Sequence, residues 1–240
     1  MRISKQQLKC KIIHTCYLYF YNIIIMRNYK KLLFEDYNIP CKDLATHLLG
    51  KIIVKKQDNI VIKGRIVETE CYLGGNDKAS NTYNNKRTPA NEPMYMKAGT
   101  CFVYMTYGMY HCINISSKEP GAAVLLRALE PITGIEEMKK FRSVKKKGNI
   151  NTEDLCSGPS KLCMSLNITK ANTNKVDLAD NEVLWIEDPD KMDEFKVVST
   201  SRIGIASAGE EWAKKELRFY ILGNPCVSKR DKKAESNFEV

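Results

Sequence analysis

A predicted strand in the segment VETECYLGG, residues 67–75, ends with an acid and an aromatic side chain close together. Because side chains alternate along a strand, Glu68, Glu70 and Tyr72 share one face. A carboxylate can act as a general acid or base, and an aromatic ring can stack on a flat ligand. These residue types and their spacing mark the end of this strand as a candidate catalytic site.

A second unusual residue, Arg127, lies inside the otherwise apolar segment AAVLLRALEP, residues 122–131. A buried guanidinium needs a counter-charge and hydrogen bonds, and Glu70 on a neighbouring strand is a suitable partner. Such a pair is by itself more often structural than catalytic. Four further polar or aromatic residues lie near strand ends: Tyr72, Tyr104, Tyr107 and Asn114. Each tyrosine alone is typical of a core or of a strand surface, but together with the carboxylate they favour a site that stacks and hydrolyses a planar ligand.

The elements that position these residues follow from hydrophobic pattern and turn signals. Residues 38–51 predict a helix that buries three leucines: Leu44, Leu48 and Leu49. Residues 100–116 predict a β-hairpin turning at Tyr107-Gly108, because glycine supplies the positive φ that a tight turn often needs. The other expected elements are strands at 51–55, 61–73 and 122–131, a functional loop at 74–99, helices near 135–141 and 158–166, a strand over 201–212 ending in a small-residue loop, and a last strand at 217–223.

Strands and helices are mixed in this order without regular βαβ alternation, which predicts the α+β class. We expect a single compact domain at 29–234, with a mainly antiparallel β-sheet, surrounding helices and a protruding β-hairpin. Residues 1–28 form a leader that is excluded from the fold, and residues 235–240 form a tail. The 240 residues, 43% of them hydrophobic, are enough for one sizeable core.

Composition limits the kinds of chemistry available. The nine cysteines include no C-x-x-C pair, and only three histidines are present, so we expect neither a disulfide scaffold nor a metal site. A reducing compartment is the better expectation for such a chain. The net charge of +10 comes largely from residues 1–31, which hold seven Lys or Arg and no acid, leaving 31 basic against 28 acidic residues in the rest. Overall charge therefore says little about nucleic-acid binding by the folded part.

Two segments remain open to two interpretations each. The apolar stretch 12–26 in the leader is too short and mixed for a membrane span, and it is either a targeting extension or extra sequence upstream of a start at Met26. The run KKFRSVKKK, residues 139–147, carries six cations and no acid. It is either a phosphate contact or a solvated helix end, and taken alone the helix end is slightly favoured.

Five blocks of sequence, in this order and at this spacing, resemble the alkyladenine (3-methyladenine, methylpurine) DNA glycosylase family. The resemblance covers about residues 28–234 and lies in GRIVETECYLG, KAGTCFVYMTYGMYHCINIS, GAAVLLRALEP, LCSGPSKLC and RIGIASAGEEW. It implies a monofunctional DNA N-glycosylase that removes alkylated or deaminated purines from double-stranded DNA and so starts base excision repair. It also implies that water is the nucleophile and that no metal or organic cofactor is used.

The resemblance assigns a role to each matching position. Glu70 corresponds to the general base, and Arg127 and the backbone carbonyl of Ile203 help it to hold the attacking water. Tyr107 corresponds to a hairpin-tip wedge that enters the minor groove. The base pocket consists of four residues: Tyr72 and Tyr104, which sandwich the flipped base, Asn114, which rejects guanine, and Asn81.

Asn81 departs from the family pattern, which has a histidine at this position. Ser207 likewise replaces a histidine that many members carry. An asparagine keeps its backbone N–H but offers neither an imidazole face nor a charge change near neutral pH. The departure bears on the range of lesions removed more than on activity.

Two other function classes are compatible with parts of the pattern. One is a protein that recognises DNA damage without cleaving, which the intact Glu70 and Arg127 disfavour. The other is an RNA-binding module that uses the tyrosines as a stacking platform, which a wedge at a hairpin tip disfavours. We expect a monomer without a membrane partner, located in the nucleus of a eukaryote or the cytoplasm of a bacterium, with organellar targeting if the leader is used.

Overall fold

The computed structural model describes residues 31–143, 149–191 and 193–238. The predicted leader at 1–28, part of the basic run at 144–147 and the last two residues of the tail lie outside the described residues.

The described residues contain seven short α-helices and eight strands, joined by loops. The helices are α1 Phe34–Tyr37, α2 Cys41–His47, α3 Ile135–Ser143, α4 Pro159–Ser165, α5 Lys170–Thr173, α6 Glu210–Lys214 and α7 Lys232–Glu235. The strands are β1 Ile52–Gln57, β2 Ile60–Tyr72, β3 Cys101–Thr106, β4 Tyr110–Ser116, β5 Ala123–Thr133, β6 Leu184–Glu187, β7 Val197–Thr200 and β8 Arg218–Ile221. The predicted α+β class with a mainly antiparallel sheet is confirmed.

All pairings between these strands are antiparallel, in the order β3-β4-β5-β2-β1-β6. The long strand β2 is the centre of the sheet. It pairs with β5 along most of its length, with β1 near its start and with β8 near its end, and β8 in turn pairs with β7. The end of β2, which carries the candidate catalytic residues, is therefore enclosed between β5 and β8.

The pairing of β2 with β5 is irregular at one point. The register runs from Ile66↔Leu129 to Glu68↔Ala128 and then to Thr69↔Leu126, so Arg127 has no partner opposite it. Such bulges bend a strand and re-aim a side chain, and they are frequent next to functional sites. Arg127 lies two residues after Leu125, which is opposite Glu70, so its side chain is on the face that carries Glu70.

A helix is present within the predicted range 38–51, but it is shorter than expected: α2 spans Cys41–His47 and packs against β2 and β5. Leu44 in this helix, and Leu48 and Leu49 directly after its end, are buried in the main core, as expected. Thr69, on the β2 face opposite to Glu70, donates from its hydroxyl to the Ala45 carbonyl at 2.7 Å. This contact fixes the end of β2 against the helix.

The prediction of a strand over 201–212 is wrong. The strand β7 ends at Thr200, and the chain then forms a loop with a short 3₁₀ turn before α6. Gly204 and Gly209 adopt positive φ values of 76° and 86°, which interrupt an extended path. The backbone N–H of Ile203 donates to a side chain instead of a neighbouring strand. Strands β6 and β7 had no counterpart among the sequence predictions.

The described residues also lack three features: a membrane-spanning helix, a metal-binding cluster and a disulfide. No helix among them is long and apolar enough to cross a membrane. They contain no group of three or more His, Cys, Asp or Glu side chains arranged to hold a metal ion. Their seven cysteines are all buried and free.

Candidate active site

The register of the sheet aligns one row of side chains across five strands. Phe102 on β3 faces Asn114 on β4, Asn114 faces Leu125 on β5, Leu125 faces Glu70 on β2, and Glu70 faces Arg218 on β8. Directly opposed residues of antiparallel strands share a face of the sheet. Residues far apart in the chain are therefore brought to one surface.

A cavity of about 410 Å³ lies over this face. Seven of the eight predicted site residues line it: Tyr72, Asn81, Tyr104, Tyr107, Asn114, Arg127 and Ile203. The eighth, Glu70, is completely buried, and its carboxylate contacts three of those lining residues. The volume of the cavity lies within the range of about 300–1,000 Å³ that is usual for small-molecule sites.

Three donors converge on the Glu70 carboxylate. The backbone N–H of Ile203 donates to Oε1 at 2.8 Å, and Nη1 of Arg127 lies 3.1 Å from the same oxygen. The Tyr72 hydroxyl donates to Oε2 at 2.9 Å. An ionised carboxylate accepts hydrogen bonds only, so this arrangement matches the charged form of Glu70.

Tyr72 thus has a second contact in addition to the stacking role that the resemblance implies. Burial, and then the charge of the Glu70 carboxylate, raise the pKa of the Tyr72 phenol far above its ordinary value. The hydroxyl therefore stays protonated and remains a donor to Glu70 at all physiological pH values. In the sequence, only the spacing of the two residues on one face of the strand indicates this bond.

The predicted pairing of Arg127 with Glu70 is confirmed, but Arg127 has a second partner, Glu68. Its Nε donates to Oε1 of Glu68 at 3.1 Å, and its Nη2 lies 3.4 Å from Oγ of Ser228. Burial would lower the pKa of Arg127, but the charges of Glu70 and Glu68 outweigh it and raise the pKa above its ordinary value. The guanidinium is consequently a permanent cation held by two carboxylates.

The contact of Ile203 differs from the one that the resemblance implies. The observed bond to Glu70 comes from its backbone N–H, whereas the resemblance assigns its carbonyl to the attacking water. The role of the carbonyl stays a prediction. Ile203 nevertheless belongs to the site, because it lines the cavity and holds the carboxylate in place.

The far wall of the cavity is formed by Tyr104 on β3. Its ring centroid lies 5.4 Å from that of Phe102, and it packs on a small apolar cluster with Met94 and Ala123. Burial, followed by the neighbouring Cys112, raises the pKa of its phenol well above the ordinary value. Asn114 is 5% exposed and donates from Nδ2 to the Phe102 carbonyl at 3.2 Å, so its amide orientation is fixed.

Tyr107 lies at the tip of the predicted hairpin, which is confirmed. Tyr107 and Gly108 both have positive φ, 52° and 66°, as a tight hairpin turn requires. The Tyr107 side chain is 89% exposed. It is therefore not a core residue of the hairpin, and a large aromatic ring is presented to solvent at the mouth of the cavity.

Asn81 lies in the predicted functional loop and lines the cavity. Its backbone carbonyl accepts a hydrogen bond from Nδ2 of Asn91 at 2.9 Å. The path of the chain at this point therefore depends on Asn91 and not on the Asn81 side chain.

A buried ion pair that the sequence analysis missed joins this loop to the rest of the site. Arg202 contacts the two carboxylate oxygens of Asp77 at 2.6 and 2.9 Å, and both side chains are completely buried. The Arg202 guanidinium also lies 4.8 Å from the centre of the Tyr72 ring. Burial lowers the pKa of Arg202, but the bond to Asp77 outweighs it and keeps the group charged. A lone Asp in a loop and an Arg far along the chain carried no shared signal.

The described part of the basic run at 139–147 has structural partners. Lys139 and Lys140 pair with Glu136 and Glu137 along helix α3. Arg142 is buried and donates to the backbone carbonyls of Asp154 and Leu155. For these three residues the interpretation as a helix end is the better one.

Comparison with known proteins gives the class to which the chain belongs. The family model described as Methylpurine-DNA glycosylase (MPG) matches residues 35–225. The human protein named DNA-3-methyladenine glycosylase is 46% identical over 212 residues, which are 86% of this chain and 70% of that protein. An Encephalitozoon cuniculi protein named "Probable DNA-3-methyladenine glycosylase" is 47% identical over 193 residues, which are 80% of this chain and 90% of that protein.

The chain belongs to the methylpurine-DNA glycosylase family. It is a hydrolytic DNA N-glycosylase of the 3-methyladenine type, and its substrate is DNA. The resemblance inferred from the five sequence blocks is thereby confirmed. The two alternative function classes, a non-cleaving damage sensor and an RNA-binding module, are not supported.

The pair formed by Asp77 and Arg202 yields a stability prediction. Asp77→Asn leaves the Arg202 guanidinium buried without its counter-charge, so we expect the free energy of unfolding to fall by about 3–5 kcal/mol. Asp188→Asn is the matched control, because Asp188 pairs with Lys51 but is 29% exposed. That change should cost no more than about 1 kcal/mol. Urea unfolding of both variants measures the difference, and equal losses would contradict a structural role for the buried pair.

Proposed function

We propose that this enzyme flips an alkylated or deaminated purine out of duplex DNA and hydrolyses its N-glycosidic bond with a water molecule that Glu70 activates. The product is a free base and an intact abasic site, from which base excision repair continues. The observation that carries this proposal is a completely buried carboxylate, fixed by three donors, beside an open cavity with aromatic walls.

The chemistry of the bond explains why a carboxylate belongs there. An N-glycosidic bond breaks through a cationic sugar, and an anion next to C1′ stabilises that charge. The same carboxylate can take a proton from water as it attacks. The fixed donors around Glu70 support both tasks, because they hold the carboxylate in one orientation before the substrate arrives. The carbonyl of Ile203 and Arg127 are proposed to help hold the water.

The cavity suits a purine that has left the helix. A base inside a duplex cannot be reached by an enzyme and has to be extruded. Tyr72 and Tyr104 are proposed to stack on its two faces, each contact contributing about 1–3 kcal/mol. Asn114, with its amide fixed by the Phe102 carbonyl, is proposed to clash with the exocyclic amino group of guanine. Undamaged guanine would then be excluded by shape and not by reactivity.

The exposed Tyr107 fits the task of a wedge. Extrusion costs a few kcal/mol of lost stacking, and a side chain inserted into the gap offsets part of that cost. An aromatic ring 89% exposed at the tip of a two-stranded hairpin can enter a groove without unfolding the hairpin. A duplex is therefore the substrate that this geometry favours.

Water is the proposed nucleophile because the described residues lining the cavity include no lysine. A glycosylase that uses an amine forms a covalent imine with the sugar and can break the strand. We expect no adduct to be trapped by borohydride and no strand scission without added base.

Substitution of the proposed general base gives a direct test. In Glu70→Gln the amide keeps the size of the side chain and can still accept from the Ile203 N–H, but it cannot take a proton from water. We expect base release to fall about 100- to 10,000-fold in single-turnover assays on a duplex with one hypoxanthine, while binding of that duplex is retained.

Glu130→Gln is the matched control for this test, because Glu130 is a half-buried glutamate of the same sheet that pairs with Arg65. Its activity should stay close to that of the unchanged protein. A Glu70→Gln variant within a few-fold of full activity would rule out the proposed mechanism.

The wedge is tested with Tyr107→Ser. We expect about a tenfold loss of turnover on a fully paired lesion duplex, and a much smaller loss when the base opposite the lesion is missing, because the lesion is then unpaired and costs less to extrude. Thermal stability should be unchanged, since the ring is exposed. Tyr83→Ser, which removes another exposed tyrosine, is the control. Losses that do not depend on pairing opposite the lesion would exclude a wedge.

Asn81→His tests the departure from the family pattern. Neutral lesions such as hypoxanthine depend on pocket contacts and on acid catalysis of the leaving group, whereas 3-methyladenine leaves more readily. An imidazole at the cavity wall should therefore raise the ratio of hypoxanthine to 3-methyladenine release by about 3- to 10-fold, with little change in nonspecific duplex affinity. Asn76→His, in the same loop but not lining the cavity, should leave the ratio unchanged. Equal effects of Asn81→His on both lesions would contradict the idea.

A further inference from the structure

A second carboxylate, Glu68, lies two residues before Glu70 on the same strand. It is completely buried and does not line the cavity, and the one cavity-lining residue that its carboxylate is seen to contact is Arg127, whereas Glu70 contacts three. The partners of Glu68 nevertheless lead directly to the reaction centre. Oε1 of Glu68 accepts from Nε of Arg127 at 3.1 Å, and the same guanidinium reaches Glu70 with Nη1.

Glu68 is itself fixed by two further contacts. Nη1 of Arg218 donates to its Oε1 at 2.9 Å, and the backbone N–H of Ser228 donates to its Oε2 at 2.7 Å. Arg218 in turn donates from Nε to the Ser201 carbonyl at 2.9 Å. Ser201 lies two residues before Ile203, whose N–H holds Glu70. Glu68, on β2, thus contacts β5 through Arg127, β8 through Arg218 and the loop at Ser228 directly. Through Arg218 it is also linked to the loop that follows β7.

The contact between Arg127 and Glu70 has an unusual form because of Glu68. An unrestrained arginine usually binds a carboxylate with two parallel N–H···O bonds, which occupy both oxygens. Here Glu68 takes the Nε edge of the guanidinium, and only Nη1 reaches Glu70, at Oε1. Oε2 of Glu70 receives the Tyr72 hydroxyl instead of a second arginine nitrogen.

The charges around Glu70 are balanced by the same arrangement. Arg127 and Arg218 contribute two positive charges, and Glu68 and Glu70 contribute two negative charges. Without Glu68, the anionic base would face an excess of positive charge in a site of low dielectric constant. A carboxylate in such surroundings is a weaker base, because its proton-free form is stabilised.

We propose that Glu68 is a positioning residue for the hydrolysis. It holds Arg127 away from Oε2 of Glu70, so that this oxygen, which accepts only from Tyr72, keeps a lone pair for water, and it offsets the positive charge that Arg127 places on Glu70. This inference rests on the proposed role of Glu70. It assigns to Glu68 a function in the reaction and not only in the stability of the sheet.

The direction of the expected pH effect follows from the groups that face Glu70. These are Tyr72 from its own strand, Tyr104 from β3, Cys112 from β4, Arg127 from β5 and Arg218 from β8. The raised pKa of Arg127 keeps this residue charged, and the burial-raised pKa values keep the tyrosines and Cys112 neutral near pH 7. Removal of the Glu68 charge therefore favours the ionised form of Glu70, and the acid limb of activity moves to lower pH.

The test is Glu68→Gln in the full-length protein, with a duplex carrying one 3-methyladenine, a cationic lesion whose departure needs no acid. The rate of single-turnover base release is measured against pH. We expect the plateau rate to fall about 10- to 100-fold and the acid limb to move down by about one pH unit, with duplex affinity within about threefold. Glu68→Asp keeps the charge but shortens the reach, so it should lower the plateau and leave the acid limb in place.

Glu187→Gln is the matched control. Glu187 is also a buried glutamate, 2% exposed, on the edge strand β6, and it binds Lys63 and the Trp185 indole. This change should lower stability to urea without moving the acid limb. If Glu68→Gln does not fold, Glu68→Asp carries the test, and a plateau rate equal to that of the unchanged protein would overturn the proposal.

Other outcomes separate this inference from the proposed function. An acid limb that does not move in Glu68→Gln, with a rate loss no larger than that of Glu187→Gln, makes Glu68 a structural residue only. If Glu70→Gln is inactive at the same time, the role of Glu70 stands and only the inference about Glu68 fails. An active Glu70→Gln variant removes the basis of both.

Discussion

One buried cation constrains the whole centre of the sheet. Arg127 lies in a strand that is apolar on both sides of it, and its side chain is only 8% exposed, so bulk water solvates little of its charge. A charge in such a position persists only with counter-charges and hydrogen bonds around it. The two carboxylates of β2 and the hydroxyl of Ser228 meet this requirement. The site geometry is therefore tied to the stability of the sheet.

The sequence revealed the local part of this arrangement and not the long-range part. Alternation along β2 correctly placed Glu70 and Tyr72 on one face, and a single arginine in an apolar strand correctly pointed to a carboxylate partner. The register could not be read in the same way, because a bulge shifts pairing by one residue and leaves no mark in composition. Glu68 was consequently seen as a neighbour of Glu70 but not as the second partner of Arg127.

The loop after β7 is a second place where the sequence did not predict the structure. Its apolar and small residues resemble a strand, yet the backbone of Ile203 is used to hold Glu70, and the adjacent Arg202 is used to hold Asp77. Both contacts join segments more than 120 residues apart in the chain. Local propensity carries no information about such demands, and the resemblance to a family supplied the only hint that this loop belongs to the site.

The two ends of the site differ in rigidity and exposure. The network around Glu70 is buried and fixed, and the hairpin tip at Tyr107 is exposed, which suits the tasks proposed for each. The floor is a closed network in which every partner of Glu70 is itself fixed by a neighbour, so little has to reorganise when charge develops on the sugar. The tip is a two-stranded hairpin whose aromatic end has almost no contacts to lose. An enzyme that must both distort a duplex and stabilise a short-lived cation gains from this separation. The exposed Tyr107 ring is joined to the sheet by strands β3 and β4. Neither strand contributes a residue to the ion pairs of Arg127, so force on the ring does not act directly on those ion pairs.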